Sequence, residues 1–389
     1  MRVLHLGKYY PPDPGGMETF LRDLLHASLR AGLEVAALVH AWRPGLRSSS
    51  ETRHTADGDL QLTRAAIWGR LLFTPISPAF PLQLRRLLRQ FQPGIVHVHL
   101  PAPSAFWLLL SPAARRVPWV AHWHADAIDE RAGTLLRGVY RWLYRPLQSA
   151  LLRRTRAIIV TSPPYLESSP ALREFHDRCV VVPLGLDAQT LHAAAPTALP
   201  ADNVPGEIRL LAVGRLTYYK GLDVLLRAVA AVPEARLRIV GVGEDGERLR
   251  HLADELGLAG RVAFLGGLDD AALAREYQAC DCLCLASTER SEAFGLVLLE
   301  AMSFARPLIA SEIPGSGVGW VVEEGVNGLK VPPGDVPAWS AAIRRLAGDT
   351  ALRQRLGATG CARFEERFAI DACMRGVGDV YRQVLEVAA

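Results

Sequence analysis

The feature that most constrains this chain is an alternation. Short, almost uninterrupted apolar runs are separated by stretches with helical spacing. In the first half the runs cover residues 3–7, 35–40, 95–99, 119–124, 157–161 and 180–183. In the second half they cover 208–213, 237–241, 262–266, 282–286 and 307–310. A strand wet on one face alternates polar with apolar; a continuously apolar strand must be covered on both faces, as in a parallel sheet flanked by helices. Each half therefore reads as a doubly wound, Rossmann-like α/β domain. At 389 residues the chain also exceeds what one core usually holds. The expected division is 1–187 and 188–369, facing each other across a cleft, with a C-terminal helix at 370–389 packing back on the first domain. The Ala- and Pro-rich stretch 186–206 reads as the linker.

Composition narrows the class. Half the residues are hydrophobic and 22% are charged, which excludes disordered and fibrous chains. No apolar run approaches the ~20 residues that span a bilayer, and residues 1–7 read as a strand rather than a leader. The cysteines at 179, 280, 282, 284, 361 and 373 lack paired zinc-ligand spacing. Those at 280, 282 and 284 read as small buried hydrophobes in a reduced, cytoplasmic setting. The net charge of +4 is unevenly shared: +9 through residue 190 and −5 beyond it. Such asymmetry speaks of partners rather than of fold.

Chemistry collects just after the expected strands, where ligands of such sheets sit. In Y-Y-P-P-D-P-G-G-M-E (9–18), Gly15 and Gly16 open a helix over 17–29 whose free N–H groups suit an anion. In G-R-L-T-Y-Y-K-G (214–221), Lys220 is one of only three lysines, the others being Lys8 and Lys330. With Arg215 it can neutralise a diphosphate without a metal. G-V-G-E-D-G (241–246) matches a dinucleotide fingerprint but lacks the acid expected about 20 residues later. An NAD oxidoreductase reading rests on that pattern alone. In S-E-A-F-G-L-V-L-L-E-A-M (291–302), Glu292 and Glu300 bracket an apolar run, and desolvated carboxylates need partners. Asp57-Gly58-Asp59 lies in the polar run 48–59 and reads as a solvated turn rather than a metal-binding pair. His122, His124 and Asp126 end a strand, where a site residue belongs.

Together, G-G-M-E, G-R-L…K-G, the glycine spacing after Val240 and the E-x7-E from Glu292 to Glu300 resemble the retaining, nucleotide-sugar-dependent glycosyltransferases of family 4. The resemblance covers essentially the whole chain and implies the GT-B fold. It implies that Glu292, with the backbone of Phe294, Gly295 and Leu296, holds the transferred sugar and the diphosphate. Glu300 would accept from the ribose hydroxyls, so that the donor supplies both acids with partners. Arg215 and Lys220 would stabilise the departing nucleoside diphosphate, Gly15 and Gly16 would let the first domain approach it, and His124, or less favourably His122, would lie near the reacting carbon. No cofactor or metal is implied beyond the nucleotide sugar.

Two departures point further. Pro183-Leu184-Gly185-Leu186-Asp187 replaces P-N-G-[IV]-D, and P-G-S-G-V-G-W (314–320) replaces G-G-x-x-E. The second version most resembles mannosyltransferases that build bacterial surface polysaccharides on lipid carriers. It implies GDP-mannose as donor and a glycan or polyprenyl-diphosphate-linked acceptor, with a UDP-sugar and a soluble acceptor as the alternative. A GT-B-fold nucleotide-sugar epimerase shares the architecture but not E-x7-E with G-R-L…K-G. Residues 131–156 carry seven arginines and no acid, interleaved with Leu135, Leu136, Tyr140, Trp142, Leu143 and Tyr144. No nucleic-acid recognition motif accompanies them. A basic surface with interfacial aromatics suits an anionic membrane, placing the enzyme on the cytoplasmic face.

Overall fold

A computed structural model describes residues 1–13, 15–71, 74–127, 133–195 and 206–386. They form two compact units, Met1–Gly185 with Ile370–Ala389, and Leu186–Ala369.

The first unit holds β1 (Arg2–Leu6), β2 (Glu34–His40), β3 (Ser49–Thr55), β4 (Gly58–Ala65), the small hairpin β5 (Gly69–Leu71) and β6 (Thr74–Ile76), then β7 (Ile95–Leu100), β8 (Trp119–Trp123), β9 (Ala157–Val160) and β10 (Cys179–Val181). Its eight-stranded sheet runs β10-β9-β8-β7-β1-β2-β4-β3, parallel except for β3. Every residue of β7 and β8 is buried, as runs without polar alternation require.

The second unit holds β11 (Ile208–Val213), β12 (Ala235–Val240), β13 (Val262–Gly266), β14 (Cys282–Leu285), β15 (Leu308–Ser311) and β16 (Gly328–Val331), all parallel, in the order β13-β12-β11-β14-β15-β16. The chain leaves β1 toward β2 but later returns on its other side as β7. It leaves β11 toward β12 and returns as β14. Each unit thus has a topological switch point beside its first strand, the crevice where doubly wound sheets bind ligands.

Two expectations need correcting. Asp57 does sit in a turn, between β3 and β4, but the rest of the polar run 48–59 is largely β3, an antiparallel edge strand, and edge strands stay polar to avoid further pairing. The stretch 186–206 is not all linker, because Ala188–Ala194 is a helix whose Asp187 cap accepts from the Gln189 N–H; residues 196–205 lie outside the described residues. The strands β4, β5, β6 and β16 correspond to none of the expected runs. The helix Ile370–Glu386 belongs to the first unit, where Tyr381 OH lies 2.5 Å from His97 Nδ1 and Ser28 Oγ donates to Met374 Sδ at 3.2 Å.

Candidate active site

In the second unit the candidate residues meet at the switch point. Lys220 follows β11 and Glu292 follows β14, and Lys220 Nζ donates to Glu292 Oε2 at 2.5 Å. The approach depends on Gly221, whose φ is 61° and which sits so close to β14 that a Cβ would lie 2.1 Å from the Ala286 carbonyl oxygen. Only glycine tolerates both conditions. The two side chains are 12% and 11% exposed. Burial works to lower the Lys220 pKa, but the Glu292 carboxylate and Tyr219 outweigh it and the net shift is upward. Ser287 Oγ also donates to Glu292 Oε2, at 2.8 Å.

Glu300 lies on the helix Leu296–Ser303, where Tyr277 OH donates to its Oε2 at 2.5 Å. Burial, then the Glu300 charge, pushes the Tyr277 hydroxyl well above its ordinary pKa. Both carboxylates therefore have protein partners, which corrects the expectation that the donor alone supplies them. Arg215 is likewise engaged, donating to Glu244 Oε2 at 3.1 Å, but both of those side chains are 52% exposed. An exposed pair of this kind is worth only about 0–1 kcal/mol.

Phe294 packs against Trp320 and Phe368, and Gly295, with left-handed φ, caps the helix that presents Leu296. The G-V-G-E-D-G loop opens the helix Gly246–Glu255, but its glycines serve the protein. A Cβ on Gly241 or Gly243 would strike the backbone oxygen of Gly214 or Leu216. The pattern records loop packing.

In the first unit, the carboxyl ends of β1, β7 and β8 carry five buried histidines. His5 Nδ1 lies 3.1 Å from His99 Nε2, and His99 Nδ1 lies 3.0 Å from His124 Nε2. The His122 and His124 rings stack at 4.5 Å, and neither nitrogen of His122 has a hydrogen-bond partner among the described residues. Burial pushes His5 and His124 down to about 3, and His97, His99 and His122 well below 6.5. All five are neutral near pH 7. The triads His5–His97–His99 and His99–His122–His124 bring ring nitrogens within 4.8 Å of one another, although a hydrogen bond already joins one pair in each. Asp126 stands apart, accepting from Trp123 Nε1 and Ser169 Oγ as a loop anchor. Asp57 and Asp59 do not converge either: His26 holds the first and His54 the second.

Gly16 begins the helix Gly16–Arg30, and the Glu18 carboxyl lies over Gly15, 2.2 Å from where a Cβ would be. Burial raises the Glu18 pKa. Sequence reasoning missed Glu18, Glu244, Tyr277, Ser287 and Ser316, since nothing in their spacing marks them. Ser316 had one signal, the unusual P-G-S-G stretch: its hydroxyl donates to the Glu292 carbonyl, and Gly317 N–H donates to the Ala293 oxygen at 2.8 Å. That loop braces the strand-to-helix turn carrying Glu292.

The basic segment is helical from Thr134 to Arg154, with a π-helical turn at Tyr140–Tyr144. Leu135, Trp142 and Leu143 are 85%, 80% and 62% exposed. Arg131 lies outside the described residues. No helix among the described residues is long and apolar enough to cross a membrane.

Two Rossmann-like units with polar residues gathered at their switch points are the framework of a GT-B glycosyltransferase. Family models agree: "Glycosyltransferase Family 4" matches residues 14–190 and "Glycosyl transferases group 1" matches 200–363. The O-antigen chain mannosyltransferase C of Escherichia coli is 33% identical, covering 99% of each chain. The D-rhamnosyltransferase WbpZ of Pseudomonas aeruginosa is 31% identical over 95% of this chain and 92% of that one. A sucrose-phosphate synthase structure from Thermosynechococcus elongatus superposes with a TM-score of 0.78 at 23% identity, covering 99% of both chains. The chain belongs to glycosyltransferase family 4.

Proposed function

We propose that the enzyme transfers mannose from GDP-mannose, with retention of configuration, to a glycan growing on a lipid carrier in surface-polysaccharide synthesis. The observation that carries the reading is the buried Lys220–Glu292 pair at the switch point of β11 and β14. Glu292 holds sugar hydroxyls, while Lys220 and Arg215 take the diphosphate. Negative charge grows on the leaving phosphate in the transition state, so fixed cations stabilise that state more than the bound donor. The bond from the anomeric carbon to the phosphate oxygen breaks, the acceptor oxygen bonds to the same face, and its proton passes to the leaving phosphate. The protein supplies position and charge rather than a nucleophile, and no step calls for a metal. Glu300 holds the ribose, and His124, neutral and buried, lies near the reacting carbon. The mannose assignment is supported by the relative named as an O-antigen chain mannosyltransferase.

The exposed apolar face of 134–147, set among Arg137, Arg141 and Arg145, fits an anionic membrane. Each arginine near such a surface contributes about 1 kcal/mol, and Trp142 suits the interface. Co-sedimentation with anionic but not neutral vesicles, abolished by Glu at all three arginines, checks this.

A panel of nucleotide sugars, read by thermal stabilisation, tests the donor. GDP-mannose at about a hundred times its Kd adds about 2.7 kcal/mol. Stabilisation by UDP-sugars alone overturns mannose; stabilisation by none overturns the transferase site.

A further inference from the structure

We propose that Tyr9, Trp42, Trp68 and Arg70 form an aromatic shelf in the first unit that binds the acceptor glycan through the C–H face of one of its sugar rings. The proposal rests on the glycosyl-transfer reading and adds the acceptor subsite to it.

β1, β2 and β4 run parallel, so their carboxyl ends lie along one edge of the sheet. Tyr9 comes three residues after β1, Trp42 two after β2 and Trp68 three after β4. The Tyr9 ring stands edge-on to Trp42 at 5.1 Å. The Arg70 guanidinium lies 4.0 Å from the Trp42 ring centre and 5.4 Å from that of Tyr9, and it donates to the Trp42 carbonyl. The β5–β6 hairpin carries Arg70 and starts where the Trp68 N–H donates to the Ile76 oxygen at 2.9 Å. Gly45 N–H ties the Trp42 loop to Ile67 at 2.9 Å. Trp68 immediately precedes that hairpin, one residue after the Ile67 to which the Trp42 loop is tied.

Burial separates scaffold from contact surface. Tyr9 is buried, whereas Trp42 is 38% and Trp68 67% exposed. Exposed tryptophans grouped on a rigid edge mark a binding surface rather than a core. A pyranose has an apolar C–H face and a rim of hydroxyls. Indole rings suit the face, and the remaining guanidinium N–H groups suit the rim. The shelf also continues into the candidate site, because Tyr9 lines a pocket with Lys8, Glu18 and His99.

The probes are α-linked mannotriose and maltotriose, each titrated by ligand-observed NMR against the full chain, Trp68→Ala, Trp68→Tyr and Arg70→Ala. The expected result is saturable binding of one trisaccharide, weakened about tenfold by loss of a single aromatic contact in Trp68→Ala, and largely restored in Trp68→Tyr. GDP-mannose stabilisation, which reports the second unit, stays at the wild-type level in every variant. Undiminished binding in Trp68→Ala and Arg70→Ala overturns the shelf, as does absence of saturable binding to the wild type. Loss of anionic-vesicle binding in Trp68→Ala with trisaccharide binding intact also overturns it, making the patch a membrane contact. Trisaccharide binding lost in Trp68→Ala by a chain that binds no nucleotide sugar leaves the shelf standing and removes the transferase reading instead.

Discussion

Mild acid should unfold this enzyme through the histidines at the carboxyl ends of β1, β7 and β8. Burial holds His5 and His124 near 3 and the other three well below 6.5, while in the unfolded chain each regains its ordinary value. The sign follows from proton counting. Above the unfolded pKa both states are neutral and stability is complete; as pH falls below it the unfolded chain takes up protons that the folded chain refuses, and stability is lost. At about pH 5.5, one unit below the unfolded value, His5 and His124 each cost on the order of 1 kcal/mol, and His97, His99 and His122 act in the same direction. Losses of this kind, added over the row, are a sizeable part of the total stability of about 5–15 kcal/mol of ordinary domains. Burial raises the Glu18 carboxyl, a shift that opposes the histidines as pH falls, and it keeps Tyr381, beside His97, neutral. Urea denaturation of the first unit at about pH 7.5, 6.5 and 5.5 reads the effect, and His122→Leu should remove about one proton from the slope. An unfolding midpoint unchanged between about pH 7.5 and 5.5 would refute the reasoning.

The Lys220–Glu292 pair is buried, so Glu292→Gln or Lys220→Met alone should cost about 3–5 kcal/mol and the double variant less than their sum; additive losses in a denaturation cycle would deny the coupling. Because the Lys220 pKa is raised, that stability should persist below its ordinary 10.5 and fade only as pH climbs through the higher folded value. Glu300→Ala should weaken nucleoside diphosphate binding in calorimetry while Glu292→Gln, assayed where it is folded, chiefly lowers kcat; equal effects on both would mean the acids are structural. Activity should survive EDTA, and Arg215→Ala with Lys220→Ala should cost at least about 3–4 kcal/mol of transition-state stabilisation. An absolute requirement for a divalent ion counts against these cations as the diphosphate's partners.

The sheet class was legible because it is written in local pattern. A strand buried on both faces must be apolar throughout, and eleven such runs became eleven parallel strands within a residue or two of their expected bounds. Of the strands that escaped notice, β3 and β16 lie at sheet edges, a position that composition does not record. The charged candidates were likewise visible as residue types, since Arg215, Lys220 and Glu292 follow apolar strands and Glu300 lies in the helix after the last of them.

What the sequence determined by itself was which residues carry charge and which segments form strands, because both follow from side-chain chemistry and short-range periodicity. Which charges neutralise which was decided by tertiary structure alone. Lys220 and Glu292 are 72 residues apart in the chain, and only the switch-point topology of β11 and β14 puts them 2.5 Å apart. His5, His99 and His124 come from three different strands, and parallel pairing stacks their carboxyl ends into one neutral, hydrogen-bonded row. A pKa depends on solvent access and neighbours in space, and neither exists until the sheet has closed over the ring.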